Sequence, residues 1–140
     1  MGNEKTVRIG IIGCGGIANG KHMPSLRQIP GVQMVAFCDI IEERARKAKQ
    51  DYGTPDAAVY TDYRKLLEDK TIDVVHVCTP NRAHSFITVD ALHAGKHVMC
   101  EKPMAINAAE AKKMLDAAKE TGKLLTIGYQ SRQRADAQYM

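Results

Sequence analysis

The chain has 140 residues, 44% apolar and 26% charged, with a formal net charge of +4, the profile of one globular domain. Basic residues are interspersed with acidic ones, so no stripe for nucleic acid is expected, and no apolar run approaches the roughly 20 residues that span a membrane. The segment before Val7 is polar and lacks the apolar core of a targeting signal. Cys14, Cys38, Cys78 and Cys100 lack metal-finger spacing; reduced thiols, no metal site and a cytoplasmic protein are the expectation.

The apolar run Val7, Ile9, Ile11, Ile12 reads as a buried first strand. Gly13, Gly15 and Ala18 follow in the pattern G-x-G-x-x-G/A. Gly13 would turn the chain off the strand. Gly15, lacking a Cβ, would let a pyrophosphate approach the backbone. Ala18 would let a helix pack closely on the strand, and the start of that helix offers free N–H groups to an anion. Gly16 and Ile17 belong to the same turn. Glycine clusters also serve plain turns, so the pattern alone decides little.

Pro24 implies a loop through Asn19–Met23 and a helix from Pro24 to Gln28, ended by Pro30-Gly31. Val32–Cys38 is a second strand, and Glu42–Tyr52 a charged helix with Ala45 and Ala48 inward, stopped by Gly53. Val59-Tyr60 is a short third strand, and Asp62 caps a short helix through Leu66-Leu67. Val74–Cys78 is a fourth strand, apolar enough to be buried on both faces. Thr79-Pro80-Asn81 breaks it, and Ala83–Ala94 is a helix with Phe86, Ile87, Val89, Ala91 and Leu92 inward, ended by Gly95. His97–Cys100 is a fifth strand. Asn107 and Glu110 form a capping box for a helix Ala108–Thr121, whose buried stripe is Met114, Leu115 and Ala118 and whose stop is Gly122. Leu124–Tyr129 is a sixth strand, and Ser131–Met140 begins a further helix. The alternation predicts an α/β fold: a doubly wound parallel Rossmann sheet in the order 3-2-1-4-5-6.

That context gives the glycine turn a second test, an acidic residue at the end of the next strand. Asp39 stands there, with Ile40 behind it. Its carboxylate suits the two ribose hydroxyls of an adenosine and repels a 2′-phosphate, which favours NAD over NADP. Asp39 also reads as a helix N-cap. S-adenosylmethionine enzymes use a similar glycine turn and acid, so a methyltransferase-like binder stays open on these features.

The second half carries a more specific series: Val74-Val75-His76-Val77-Cys78-Thr79-Pro80-Asn81, then His84, then Ala91-Leu92-His93-Ala94-Gly95-Lys96-His97-Val98, then Glu101-Lys102-Pro103. From Val7 to about Arg134 the chain resembles the glucose–fructose oxidoreductase / inositol dehydrogenase / rhizopine-catabolism (Gfo/Idh/MocA) oxidoreductase family. The resemblance implies an NAD-dependent dehydrogenase that moves a hydride between nicotinamide and a carbinol carbon of a sugar, polyol or cyclitol. It implies that Thr79, Pro80 and Asn81 line the middle of the cofactor, with His84 on the helix after them. Glu101 and Lys102 would lie beside the nicotinamide and its ribose. Lys102 would be the active-site lysine that bonds the substrate hydroxyl, and Gln130 would lie near the nicotinamide.

On the residues alone, Lys102 reads more readily as a surface lysine paired with Glu101, and His84 as an ordinary first-turn helix residue. His76 reads as a sheet-packing histidine, and His93 and His97 as solvated. His22, in the expected loop over the pyrophosphate, reads as a loop residue with the cofactor within reach. The cysteines all fall at carboxyl ends of strands, where small apolar side chains pack well; none has a signal for thiolate activation.

Residues 1–130 are expected to form the dinucleotide-binding domain and 131–140 the start of a helix leading onward. The family's second domain shapes the sugar pocket, supplies an Asp and a His, and commonly builds a homo-oligomer. Nothing in these residues matches it. The expectation is therefore a truncated parent enzyme, of which this chain is the cofactor-binding part with little turnover alone. A non-catalytic NAD-binding sensor or interaction module is the alternative.

Overall fold

The computed structural model describes residues 6–16, 18–79, 81–101 and 107–128. Six strands are present among them: β1 (Val7–Ile12), β2 (Val32–Cys38), β3 (Ala58–Tyr60), β4 (Val74–Val77), β5 (His97–Glu101) and β6 (Leu125–Gly128). They form one sheet in the order β3-β2-β1-β4-β5-β6, and every neighbouring pair is parallel. The helices between them are α1 (Met23–Arg27), α2 (Glu42–Tyr52), α3 (Tyr63–Leu67), α4 (His84–His93) and α5 (Ala108–Thr121). This is the doubly wound arrangement the alternation of elements predicts. The order reverses between β1 and β4, where crevices for ligands open in such sheets.

Apolar side chains fill both faces. Ile9, Ile11 and Phe37 pack with Met23 and Leu26 of α1 and with Ala45 and Ala48 of α2. Ile12, Val75, Val77, Val98 and Cys100 pack with Leu66, Leu67, Ile87, Leu92 and Met114 of α3, α4 and α5. Strands buried on two faces need apolar residues at successive positions, and β4 supplies them as Val74, Val75 and Val77. In β2 the register slips: Ile9 pairs with Met34 but Gly10 with Ala36. Val35 is the extra residue, a bulge, and it joins Ala36 on the same face of the core.

Local signals account for several helix ends. Asp62 accepts a bond from Arg64 N and caps α3; Asn107 accepts one from Glu110 N and caps α5. Gly122 closes α5 in the left-handed conformation, φ 70°, which suits a residue without Cβ.

Several expectations need correction. Asn19–Met23 is not a loop: Ala18–His22 forms a turn of π-helix running into α1, which starts at Met23 with Pro24 in its first turn. The fourth strand ends at Val77, and a 3₁₀ turn (Asn81–Ala83) precedes α4. Phe86 is not inward; it is half exposed and tilts against the Tyr63 ring at 6.2 Å. In α5 the buried residues are Met114 and Ala117, while Leu115 is exposed, because the helix meets the sheet on a narrower stripe than three apolar residues imply. His97 is half-buried rather than solvated, and its Nδ1 accepts from Leu124 N at 3.0 Å. Ile17, Pro80, Lys102, Pro103, Gln130, Tyr129 and the helix expected over residues 131–140 lie outside the described residues.

Candidate functional site

The glycine turn is built as its sequence requires. Gly13 has φ +93°, and a Cβ there would lie 2.8 Å from the carbonyl carbon and oxygen of Cys78. Only glycine fits between β1 and the end of β4. The turn is pinned on both sides: Gly13 N donates to Cys38 O at 2.7 Å, and Cys78 N to Ile12 O at 2.8 Å. A Cβ on Gly16 would meet nothing within 4 Å, and one on Gly15 only Arg44 Nη1 at 3.9 Å. This part of the turn therefore presents bare backbone. Ala18 is fully buried beneath it.

Asp39 sits against the turn at the end of β2 and is 8% exposed. Its Oδ2 accepts from Cys14 N at 2.9 Å and its Oδ1 from Ile41 N at 2.8 Å. The N-cap of α2 is Ile41, without a side-chain bond, so Asp39 is not that helix's cap. Instead two amides orient its carboxylate, and each oxygen keeps a lone pair for another donor.

Gly13, Gly15, Gly16, Asp39, Ile40 and Thr79 line one cavity of about 710 Å³ at the carboxyl ends of β1, β2 and β4, a volume in the range of small-molecule sites. Thr79 Oγ1 is buried with no hydrogen-bond partner among the described residues, an arrangement that calls for a polar group from a ligand or water. His84, 1% exposed at the start of α4, holds the same corner from behind, its Nε2 lying 2.8 Å from Thr79 O. It is thus more than a first-turn helix residue. Asn81 opens the 3₁₀ turn beside it. A second cleft of about 450 Å³ lies at the opposite, amino end of the sheet between Lys70 and His97; it contains none of the expected site residues.

Glu101 does not line the large cavity. It ends β5 at 8% exposure, and its Oε2 lies 2.5 Å from His22 Nε2. His22 Nδ1 in turn lies 3.0 Å from His76 Nδ1, with the two rings edge to face. Burial, then the neighbouring His22, lowers the pKa of His76 from 6.5 to about 4, so its imidazole is neutral near pH 7. In sequence His22 and His76 stand 54 residues apart and read as unconnected. The signal that joins them is topological: parallel neighbours β4 and β5 put His76 and Glu101 near one edge, and the π-turn swings His22 across it. The cavity also includes Arg44, Tyr63 and Phe86, which no motif marked.

The thiols are inert. Burial, with Asp39 next in effect, pushes Cys14 and Cys38 up to about 12. Burial pushes Cys100 up to about 11, and burial with Glu101 raises Cys78 further still. None is a disulfide partner among the described residues, and no described group of His, Cys, Asp and Glu residues has the arrangement of a metal site. No helix among the described residues is long and apolar enough to cross a membrane.

A parallel sheet in this order, with a glycine turn and a carboxylate at its switch point, defines a dinucleotide-binding Rossmann domain. Residues 7–129 match the family model described as an oxidoreductase family with an NAD-binding Rossmann fold, and the chain belongs to this Gfo/Idh/MocA oxidoreductase family. Inositol 2-dehydrogenase of Salmonella typhimurium is 38% identical over 128 residues, which cover 91% of this chain and 38% of that protein. D-glucoside 3-dehydrogenase of Escherichia coli is 37% identical over 134 residues, 96% of this chain and 38% of that protein. A 3-ketoreductase from Actinomadura kijaniata, crystallised with NADP, superposes with a TM-score of 0.87 at 29% identity over 96% of this chain and 42% of its own. The chain thus spans well under half the length of these relatives.

Proposed function

We propose that this chain is the nucleotide-binding part of an oxidoreductase that moves a hydride between a nicotinamide dinucleotide and a sugar, polyol or cyclitol hydroxyl carbon. The observation that carries the reading is the open backbone at Gly15 and Gly16, set beside an Asp39 carboxylate oriented by two amides. The turn's free N–H groups receive the pyrophosphate. Asp39 uses its remaining lone pairs on the adenosine ribose, and Ile40 packs beside it. Ala18 keeps the turn close to the sheet. Thr79, held by His84, meets the middle of the cofactor with Pro80 and Asn81, and Ile17 is a further cofactor-binding residue. Glu101, Lys102 and Gln130 serve the nicotinamide half.

The cofactor, when bound, accepts or returns the hydride. Lys102, directly after Glu101 in the chain, hydrogen-bonds the substrate hydroxyl that loses its proton as the carbinol becomes a carbonyl. Asp39 favours NAD, because a 2′-phosphate would meet its negative charge in a nearly buried site. Arg44 in the same cavity supports the alternative of NADP, the cofactor bound to the Actinomadura relative. The chain covers 38% of its dehydrogenase relatives' length, and we propose that it binds cofactor with little turnover alone. The substrate pocket and any homo-oligomer contacts are then supplied by sequence corresponding to the rest of those relatives. Four thiols held protonated fit a reducing, cytoplasmic setting.

Calorimetry on this chain with NADH, NADPH and S-adenosylmethionine tests the reading. Heat with NADH and none with S-adenosylmethionine is expected. Binding of S-adenosylmethionine without NADH or NADPH would overturn it.

A further inference from the structure

The glycine turn has a brace that lies outside its motif. Asn19 stands in the π-helical turn Ala18–His22, a geometry that is uncommon and frequent at functional positions. Its Nδ2 lies 2.7 Å from Cys14 O and 2.9 Å from Gly15 O. Both neighbours are carbonyl oxygens, so the nitrogen end of the amide faces them, and its two hydrogens serve one oxygen each. The Asn19 main-chain N–H donates to Gly15 O as well, at 3.0 Å. The pattern G-x-G-x-x-A ends at Ala18 and gives no hint of this; Asn19 is the next residue in the chain and is exposed.

Those two carbonyls belong to particular peptide units. Cys14 O is the oxygen of the unit whose nitrogen is Gly15 N, and Gly15 O is the oxygen of the unit whose nitrogen is Gly16 N. A peptide unit is planar and trans, so its C=O and N–H point in opposite directions. Holding both oxygens on Asn19 therefore turns the Gly15 and Gly16 N–H groups away from Asn19, in the stretch of the turn that lines the crevice. The unit before them is fixed independently, since Cys14 N donates to Asp39 Oδ2 at 2.9 Å. Glycine makes such a clamp necessary. Gly15 and Gly16 have the widest choice of backbone angles, and a Cβ on either would meet at most Arg44 Nη1 at 3.9 Å, so packing does not restrict them. The freedom that opens this backbone to a ligand leaves its N–H groups undirected unless their carbonyls are held.

We propose that Asn19 is a positioning residue for the dinucleotide: it orients the Gly15 and Gly16 N–H groups toward the pyrophosphate before the ligand arrives, acting through their carbonyls. This rests on the reading that the crevice takes a nicotinamide dinucleotide with its pyrophosphate at the glycine turn. The contribution is one of pre-organisation. With Asn19 in place the two peptide units are ordered when the chain folds. Without it they are ordered only when the ligand binds, and that ordering subtracts from affinity. Fixing the backbone of a single residue changes an equilibrium on the order of tenfold.

The test is calorimetry with NADH on the unmodified chain, Asn19→Ala and Asn19→Ser. Asn19→Ala removes both side-chain bonds, and affinity for NADH should fall about tenfold. In Asn19→Ser the hydroxyl can bond back to the carbonyl four residues earlier, Gly15 O, and should recover part of the loss. Adenosine, which has the base and ribose of the cofactor but no phosphate, separates positioning from folding. Followed by backbone amide shifts, it should bind Asn19→Ala as well as it binds the unmodified chain. Undiminished NADH affinity in Asn19→Ala, or an equal loss for NADH and adenosine, would overturn the proposal while leaving the crevice reading intact. If the unmodified chain binds no NADH, the crevice reading itself fails and the proposal with it. A second measurement needs no variant and no ligand. The side-chain amide hydrogens of Asn19 in the ¹⁵N-labelled chain should exchange with water at least about tenfold more slowly than those of free asparagine. Exchange at the free rate would mean that the carbonyls are not held in advance, and would contradict the proposal.

Discussion

Replacing Gly13 with alanine separates the two duties of the glycine turn. The new Cβ would lie 2.8 Å from Cys78 C and O and 2.9 Å from Thr79 N, all backbone, at φ +93°. None of these atoms is the end of a flexible side chain. The left-handed region costs an L-residue about 1–2 kcal/mol, and forcing extra volume into a packed site costs about 1–3 kcal/mol. A loss of about 3 kcal/mol is expected, which at a urea slope of about 2 kcal/mol/M lowers the midpoint by about 1.5 M. Gly15→Ala is the control: its Cβ meets only Arg44 Nη1 at 3.9 Å. Stability should change by less than about 0.5 kcal/mol, while NADH affinity falls about tenfold or more as the methyl holds the pyrophosphate off the backbone. Equal urea midpoints for Gly13→Ala and the unmodified chain would refute the claim that β1 and β4 meet through this glycine.

Two further outcomes follow from the same geometry. Asp39→Ser removes the charge that faces a 2′-phosphate; NADH should weaken by about 10–100-fold, the size of charge-assisted ribose bonds, while NADPH holds or gains, as read by calorimetry. His76 makes the fold acid-sensitive. Its folded value of about 4 lies below the ordinary 6.5, so between these limits the unfolded chain binds a proton that the folded chain refuses. Stability is therefore lost as pH falls from about 6.5 toward about 4, by roughly 3 kcal/mol in all. Compared with His76→Gln, whose side chain does not titrate, the unmodified chain should lose that extra amount in urea titrations over this range.

The fold was legible because its signals are local and repeated. Val32–Cys38, Glu42–Tyr52 and Ala108–Thr121 follow from apolar periodicity with Gly53, Asn107 and Gly122 as punctuation, and the structure keeps those bounds. The glycine turn and Asp39 were legible because one spacing serves one mechanism. Side-chain pairing across the sheet was not. His22 and Glu101 are 79 residues apart, and nothing in either neighbourhood announces the other. The π-turn was hidden by Pro24, which reads as a helix start and in fact lies inside a helix that has already begun. Phe86 and Leu115 show the opposite error: helix periodicity places them inward, but both are about half exposed, and Phe86 lines the crevice against Tyr63. The two amide bonds to Asp39 were also invisible, since a residue that reads as either ribose ligand or helix cap turns out to brace the glycine turn.

The most direct test of the account is to follow the backbone amides of the ¹⁵N-labelled chain as NADH is added. The account predicts saturable shifts at Gly13, Cys14, Gly15, Gly16, Ile41 and Thr79, at the carboxyl ends of β1, β2 and β4. Shifts confined to Lys70, Lys96 and His97 at the other end of the sheet, or no saturable shifts at all, would contradict it.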